Sequence, residues 1–521
     1  MSDVIDRRVV LGGETRTRGI VAGNRSRLEW AGMVLTGIWV VPIIASGTVS
    51  FGRAVGALVV LAVAFFVWTP FPGPLAGSSV AAWVAWESRH QLRRRRPGAV
   101  FVPRHQQVAA SGTREAGPAR TKSSPASAPV FDFPEAVGRV RVLALDLPSG
   151  APLAVVWHLN PGRRHFCTVA FEVRGTSGGL ERAHTWGRAH GDWASFCGAL
   201  AREGSLIRTV QQISRVVPYD AADHAAWIAP RIPAGTDPHL VESYAALLDE
   251  ASSTTEQHRT WLVLRLPITK AFDVAAWRLG SGDDGMLRLV AREVVAAMHR
   301  AAGYGMALRP LDERRLGAVI RALQDADHPI DDIAGLDFNR AWLTWDQRDR
   351  HKVVVEGING QWHTRTAVVP GGAVEAGRLA PDFLDPLLSG VSPAVVRTIS
   401  TVIDLVPAHV ARGKATRAVT LDTGSSREAA RRVSDGSEEQ QLTASQQRLS
   451  DLRPGTRTHG ANWSLSITLC ARSDDELDAA ARQIEGAAEE AHISGLRWLD
   501  GFHDGGLTAS LPLARGMATR Q

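Results

Sequence analysis

From Trp30 to Trp86 the chain carries a single charged residue, Arg53, and that apolar stretch constrains its fold more than any other feature. Trp30–Val49 is an uncharged run of 20 residues and Ala54–Pro70 a second of 17. At about 1.5 Å of rise per residue, the first is long enough to cross a hydrocarbon core about 30 Å thick. Backbone polar groups in lipid must bond within their own segment, so such paired runs predict helices. The turn at Ser50–Arg53 closes them into a transmembrane hairpin over 30–70, with Pro42 as a kink site. Trp30, Trp39, Trp68, Trp83 and Trp86 fall where an aromatic belt would lie.

The net charge of +6 and a pI near 9.7 invite a nucleic-acid reading, and the placement of charge rejects it. Residues 1–104 hold 13 Arg and 5 acidic residues, whereas the remaining 417 hold 46 basic against 48 acidic. The basic character therefore belongs to the flanks of the apolar runs. Arg25 and Arg27 precede the first run, Arg53 sits in the turn, and Arg89, Arg93, Arg94, Arg95 and Arg96 follow the second. With Trp30, these are the residues expected to set topology at the membrane interface. The positive-inside rule places both termini in the cytoplasm of a two-pass plasma-membrane protein, its arginines near anionic lipid head groups. A nucleic-acid tail at Arg93–Arg96 and a cleaved signal peptide are the rival readings. The arginine run beside a span answers the first, and the 29 residues before the apolar run answer the second.

Residues 1–29 read as a basic cytoplasmic tail, and 71–130 as a basic juxtamembrane segment leading into a Pro/Ser/Ala-rich linker. From Phe131 onward the pattern turns globular. β-Branched runs at Val137–Leu145, Pro152–Leu159 and Phe166–Val173 predict a meander. A helix over Leu180–Arg202, strands at Leu206–Val217 and Arg259–Ile268, and a helix over Met286–Ala302 follow. A looser version recurs: strands Lys352–Ile358 and Thr364–Val369 around Asn359-Gly360, then strands Ala394–Val406 and Trp463–Leu469. Helix Asp474–Ala491 closes it, with Ser473 and Glu476 in capping-box spacing. The expected fold class is α+β: a transmembrane helical hairpin, then a cytoplasmic region of two split-βαβ, ferredoxin-like halves with helical insertions. The domains expected are 131–309 and 310–521, the second with a polar helical arm over 427–451.

Catalytic motifs fare poorly. The string around Lys414 lacks the upstream glycine and the following hydroxyl of a phosphate loop, so Lys414 reads as a solvated lysine. Gly175-Thr176-Ser177-Gly178-Gly179 fits a nucleophile elbow, but glycine and serine are also what a strand-to-helix turn requires. Asp422-Thr423-Gly424 matches an aspartic-protease string, yet that chemistry needs a second carboxylate and no second string occurs. It reads better as a turn with Ser425 or Ser426 capping the next helix. His503, in Phe502-His503-Asp504-Gly505-Gly506, reads as a turn histidine rather than a ligand. Cys167, Cys197 and Cys470 match no metal or disulfide spacing. No catalytic residue, cofactor site or metal site is expected, and the chain reads as a non-enzyme.

Several stretches carry a family resemblance. They are Gly12-Gly13-Glu14-Thr15-Arg16-Thr17-Arg18 before the apolar runs, Arg164-His165-Phe166, Gly436-Ser437-Glu438-Glu439-Gln440-Gln441, His459-Gly460-Ala461-Asn462-Trp463 and Ser473-Asp474-Asp475-Glu476-Leu477. The sequence resembles actinobacterial membrane proteins of conjugation-type gene clusters. Their soluble part is similar to the N-terminal, non-ATPase domain of the type IV secretion ATPase, and their spans to its PrgI-type segment. The resemblance implies a membrane-anchored, non-catalytic scaffold on which a separate secretion or conjugation ATPase and other membrane subunits dock, as a homo- or hetero-oligomer. No Walker motif follows within the 521 residues. The runner-up is the EccE-type component of type VII secretion, which shares the layout. A membrane-anchored hydrolase using Ser177 or Asp422 is the alternative of another class.

Overall fold

The computed structural model describes residues 9–11, isolated positions between 34 and 95, residues 99–106 and residues 133–515. Within the last range 160–164, 175–182, 220–221, 234, 331–334, 371–372, 376, 381, 431–436 and 457 are excepted. Two short strands, β1 (Val9–Leu11) and β2 (Val100–Phe101), precede the body. The meander is β3 (Val140–Asp146), β4 (Pro152–His158) and β5 (Phe166–Arg174). Helix α1 (Ala183–Leu200) leads to β6 (Thr209–Pro218), and α2 (Ala222–Ile228) and α3 (Pro238–Thr254) lead to β7 (Glu256–Pro267). Next come α4 (Lys270–Trp277), α5 (Gly282–Gly303), β8 (Ala307–Pro310) and α6 (Glu313–Gln324).

The second run begins with β9 (Trp345–Asp346), β10 (Val353–Gly357) and β11 (Gly360–Val368). It continues through β12 (Gly377–Leu379), α7 (Asp385–Ser389), β13 (Val396–Val406), α8 (Ala408–Ala429) and α9 (Ser437–Asp451). It ends with β14 (Gly460–Ala471), α10 (Asp474–Glu490), β15 (Arg497–Trp498) and α11 (His503–Ser510). Local chemistry accounts for the boundaries. The side chains of Asp237, Thr269, Asp312 and Ser473 accept hydrogen bonds from the first turns of α3, α4, α6 and α10. Glu476 reaches back from α10 to the Arg472 N–H at 2.9 Å.

Thirteen strands form one antiparallel sheet in the order β2-β9-β10-β11-β14-β13-β6-β7-β5-β4-β3, with β15 beside β11 and β8 beside β5. The order is palindromic. In the first half β7 lies between β5 and β6, which are joined through α1, and α5 returns the chain to β8 on the far side of β5. In the second half β14 lies between β11 and β13, and α10 returns the chain to β15 beside β11. The halves meet where β6 pairs β13, from Thr209 opposite Asp404 to Val216 opposite Arg397. Opposed residues share a face, so this register makes the two halves one continuous surface.

Alternation along the strands then feeds cores on opposite faces. Leu262, Leu264 and Leu266 of β7 pack under α5 with Leu289, Val290 and Val294, while Leu465, Ile467 and Leu469 of β14 pack under α10 with Leu477 and Ile484. Trp261 and Val263 turn to the other face. There one cluster takes in β4, β10, α6, α11 and an aromatic group of Phe338, Trp342 and Trp345.

The expected fold class is corrected by this architecture. Among the described residues no helix is long and apolar enough to cross a membrane, and a single large antiparallel sheet with its helices dominates. Apart from seven helical positions, the stretch 30–70 lies outside the described residues. Hydropathy records a preference for leaving water, whereas a span requires one continuous helix of about 20 residues. The two-pass plasma-membrane placement with both termini cytoplasmic rested on that hairpin and is corrected with it.

Candidate functional site

Helix α6 crosses the face shared by both halves. Asp312 caps it by accepting from the Arg315 N–H at 2.7 Å. Near its start, Arg315 lies 3.7 Å from Glu172 of β5 in the first half. Its far end reaches the second half: Gln324 Oε1 accepts from Trp345 Nε1 at 2.8 Å, and Asp325 Oδ1 accepts from Trp362 Nε1 at 2.8 Å. Asp325 Oδ2 also takes the Ile358 N–H at 2.8 Å, which fixes the β10–β11 turn. Buried Gln324 and Asp325 thus spend their polar groups on the second half, as buried polar groups must. On the other face, fully buried Arg397 of β13 donates to Glu256 of β7 at 2.7 Å, another tie across the seam. Burial pushes the Arg397 pKa down, and the Glu256 carboxylate pulls it back up.

The connection Asp346-Gln347-Arg348-Asp349-Arg350-His351-Lys352 projects from the same region. It edges a shallow cleft of about 250 Å³ lined by Arg94, Asp346, Arg348, Asp349, Lys352 and Val354. Arg350 pairs with Glu87 at 3.3 Å, and His351 with Asp500 at 3.4 Å. Lys352 donates to Asp474 at the start of α10, and His363 Nδ1 lies 2.6 Å from the same carboxylate. Hydrogen bonding from Lys352, aided by His363, holds Asp474 below the usual carboxylate range despite some burial. At Asp346 burial works upward, but hydrogen bonds from Arg348 outweigh it and depress the carboxyl. Asp500 is likewise depressed: burial raises it, and His503, His351 and Arg365 more than compensate. These carboxylates are ionised and committed to cations, so none is a poised general base. The geometry is that of a charged surface whose ion pairs join Asp346–Lys352 to Glu87, Asp474 and Asp500.

The sequence-predicted residues scatter. Arg25, Arg27, Trp30, Arg53, Arg89, Arg93 and Arg96 lie outside the described residues, as does Ser177. Arg94 and Arg95 are exposed, and Arg94 reaches the charged cleft. The Asp422 string is no turn: it lies inside α8, where Asp422 is buried and accepts from Ser445 Oγ of α9. Lys414 is exposed on the same helix. His503 begins α11 rather than a turn; its Nδ1 accepts the Thr366 N–H at 3.1 Å, which leaves its proton on Nε2, 3.5 Å from Asp500. Burial keeps that imidazole below its ordinary pKa, with Asp500 opposing. All three cysteines are free, and burial pushes Cys167 and Cys197 up to about 12. No group of three or more His, Cys, Asp or Glu suited to a metal occurs among the described residues. Sequence reasoning passed over the Asp346–Lys352 connection, although five of its seven residues are charged in a chain that is 21% charged.

Residues 254–354 match the family model described as "Putative type VII ESX secretion system translocon, EccE". No curated protein matches the chain. The matched stretch runs from the end of α3 through β7, α4, α5, β8, α6 and β9 into β10. It therefore contains Glu256, the whole of α6 and the charged connection, and its likeness is to a secretion-system family.

Proposed function

We propose that this chain is a non-catalytic, EccE-like subunit of a type VII secretion machine, and that it holds other subunits rather than transforming a substrate. One observation carries the reading: the family match falls on the stretch that stitches the halves together and bears the charged connection. In this reading α6 fixes the relative position of the halves, and Asp346–Lys352 offers alternating charge to a partner subunit. The chemistry agrees with recognition, because Asp346 in the cleft is already held by Arg348, and Asp474 beside it by Lys352 and His363. The type VII assignment stands here ahead of the conjugation-type one, since the family model matched at residues 254–354 is of the former kind.

The test is genetic and biochemical. Deleting the gene in its own host should stop export of the small proteins that a type VII machine secretes, and an affinity-tagged full-length chain should bring down other translocon subunits. Charge reversal at Arg348 and Lys352 together should reduce that recovery at least tenfold while leaving the fold intact. Normal export in the deletion strain, with the tagged chain isolated alone, would sink the proposal.

A further inference from the structure

The two ends of the sheet are treated differently. β9, the last meander-type strand of the second half, is covered by β2: Val100 lies opposite Asp346 and Phe101 opposite Trp345. The Gln347 N–H donates to Ala99 O at 2.9 Å, extending that cover. β3 holds the equivalent place in the first half, and among the described residues it pairs with β4 alone. Its phase follows from two bonds. Leu159 N–H donates to Arg139 O and Leu147 N–H to Ala151 O, so odd-numbered residues address β4. The backbone groups of Val140, Val142, Ala144 and Asp146 consequently point outward. The strand reads VRVLALD, without Pro or Lys; of its two charges Arg141 is turned to Asp283 at 3.0 Å and Asp146 stands at its end.

We propose that β3 is the surface on which a second copy of this chain docks, antiparallel, about a two-fold axis at Leu143. The strand itself argues for a copy as occupant. Centring on Leu143 sets Val142 opposite Ala144 and Val140 opposite Asp146, so every outward N–H and C=O of the strand finds a partner. Moving the axis to Ala144 sets Val140 against Pro148, which has no N–H; moving it to Val142 sets Asp146 against Gly138, outside the strand. In the Leu143 register Arg141 faces Leu145, so no like charges oppose each other. The side-chain layers also continue: Val140 and Val142 belong with the core beneath α6, Leu143 and Leu145 with the core beneath α5. The molecule already joins its own like halves by antiparallel pairing, at β6 and β13. This inference does not depend on the secretion reading.

Full-length protein should be a dimer by light scattering at micromolar concentration. Ala144→Pro removes one outward N–H and leaves the β3–β4 bonds untouched, so it should raise the dimer dissociation constant at least tenfold with an unchanged circular dichroism spectrum. Leu143→Cys places two thiols in a pair that is not hydrogen-bonded, where the backbones are closest, and should give a disulfide-linked dimer on a non-reducing gel. Leu145→Cys, which faces Arg141 of the other copy, should not. A monomer at every concentration, cross-linking at both positions, an unaffected Ala144→Pro dimer, or capture of a different protein at Leu143→Cys each overturns the proposal.

Discussion

Asp422 shows how a residue's neighbours decide its chemistry. Its string matches a protease motif, yet the carboxylate lies inside a helical hairpin and accepts from Ser445. Asp422→Ala should therefore cost about 1–3 kcal/mol of stability, read from a urea transition, because Ser445 loses its acceptor in a buried site. It should change no hydrolytic activity. His158 argues the same point for titration. It is buried, stacked on Phe166 at 4.2 Å, and its Nδ1 lies 3.1 Å from Arg515. Burial first, then Arg515 and Arg265, push its pKa well below the usual 6.5. As pH falls through about 6.5 the unfolded chain gains a proton that the folded one refuses, so stability falls with acidification. His503 adds in the same direction. The unfolding free energy, read from urea transitions, should drop between pH 7 and pH 5 by up to about 1.4 kcal/mol per pH unit for each histidine, and His158→Gln should flatten that slope. Asp474 and Asp500 act in a lower window: their depressed values stabilise above about pH 4, and that contribution is lost below it.

At the scale of the element, α6 matters most. Its Gly317 has no side chain because a Cβ there would stand 2.2 Å from the Leu336 carbonyl oxygen. Leu336 N–H in turn donates to Arg314 O at 2.9 Å, so helix and loop are locked backbone to backbone. Gly317→Ala should destabilise by about 1–3 kcal/mol, the usual cost of overpacking, and thermal unfolding would show it. An unshifted midpoint would mean that the loop yields. The arm α8–α9 behaves differently. Ala411, Ala415, Ala444 and Leu452 are buried in its interior, and the Asp422–Ser445 bond adds a buried polar tie between its two helices.

Across the whole molecule the halves share one sheet and one core beneath α6 and α11. Gln211 of β6 ties the end of α11 and the segment after it to the seam: it donates to Ala509 O at 2.9 Å and Leu511 O at 3.0 Å, and accepts from the Ala514 N–H at 2.7 Å. Calorimetry should accordingly record a single unfolding transition for the two halves; two resolved transitions would contradict the shared core. Glu256→Ala should cost about 3–5 kcal/mol, because it strands Arg397 as a buried charge between β13 and the first half. Glu256→Gln keeps an acceptor and should cost less.

Local sequence placed the long strands of the meander and the seam and helices α1, α5 and α10, but not the short elements α4, β8, β15 and α11. The Asn359-Gly360 hairpin, the Ser473 cap and the apolar stripe of α5 are local features, governed by turn chemistry, capping and periodicity. It also determined that the basic charge is concentrated before residue 105. It misjudged Asp422 and His503, because each reads as a turn in its own string and becomes helical only when packed against Ser445 or Thr366. The apolar run after Trp30 was legible as hydropathy, but hydropathy does not specify what an apolar segment is built into. Only tertiary structure decided that β6 meets β13 and that α6 carries Gln324 and Asp325 to Trp345 and Trp362. Strand pairing and buried hydrogen bonds join residues far apart in the chain, and no local pattern encodes which distant partner each will find.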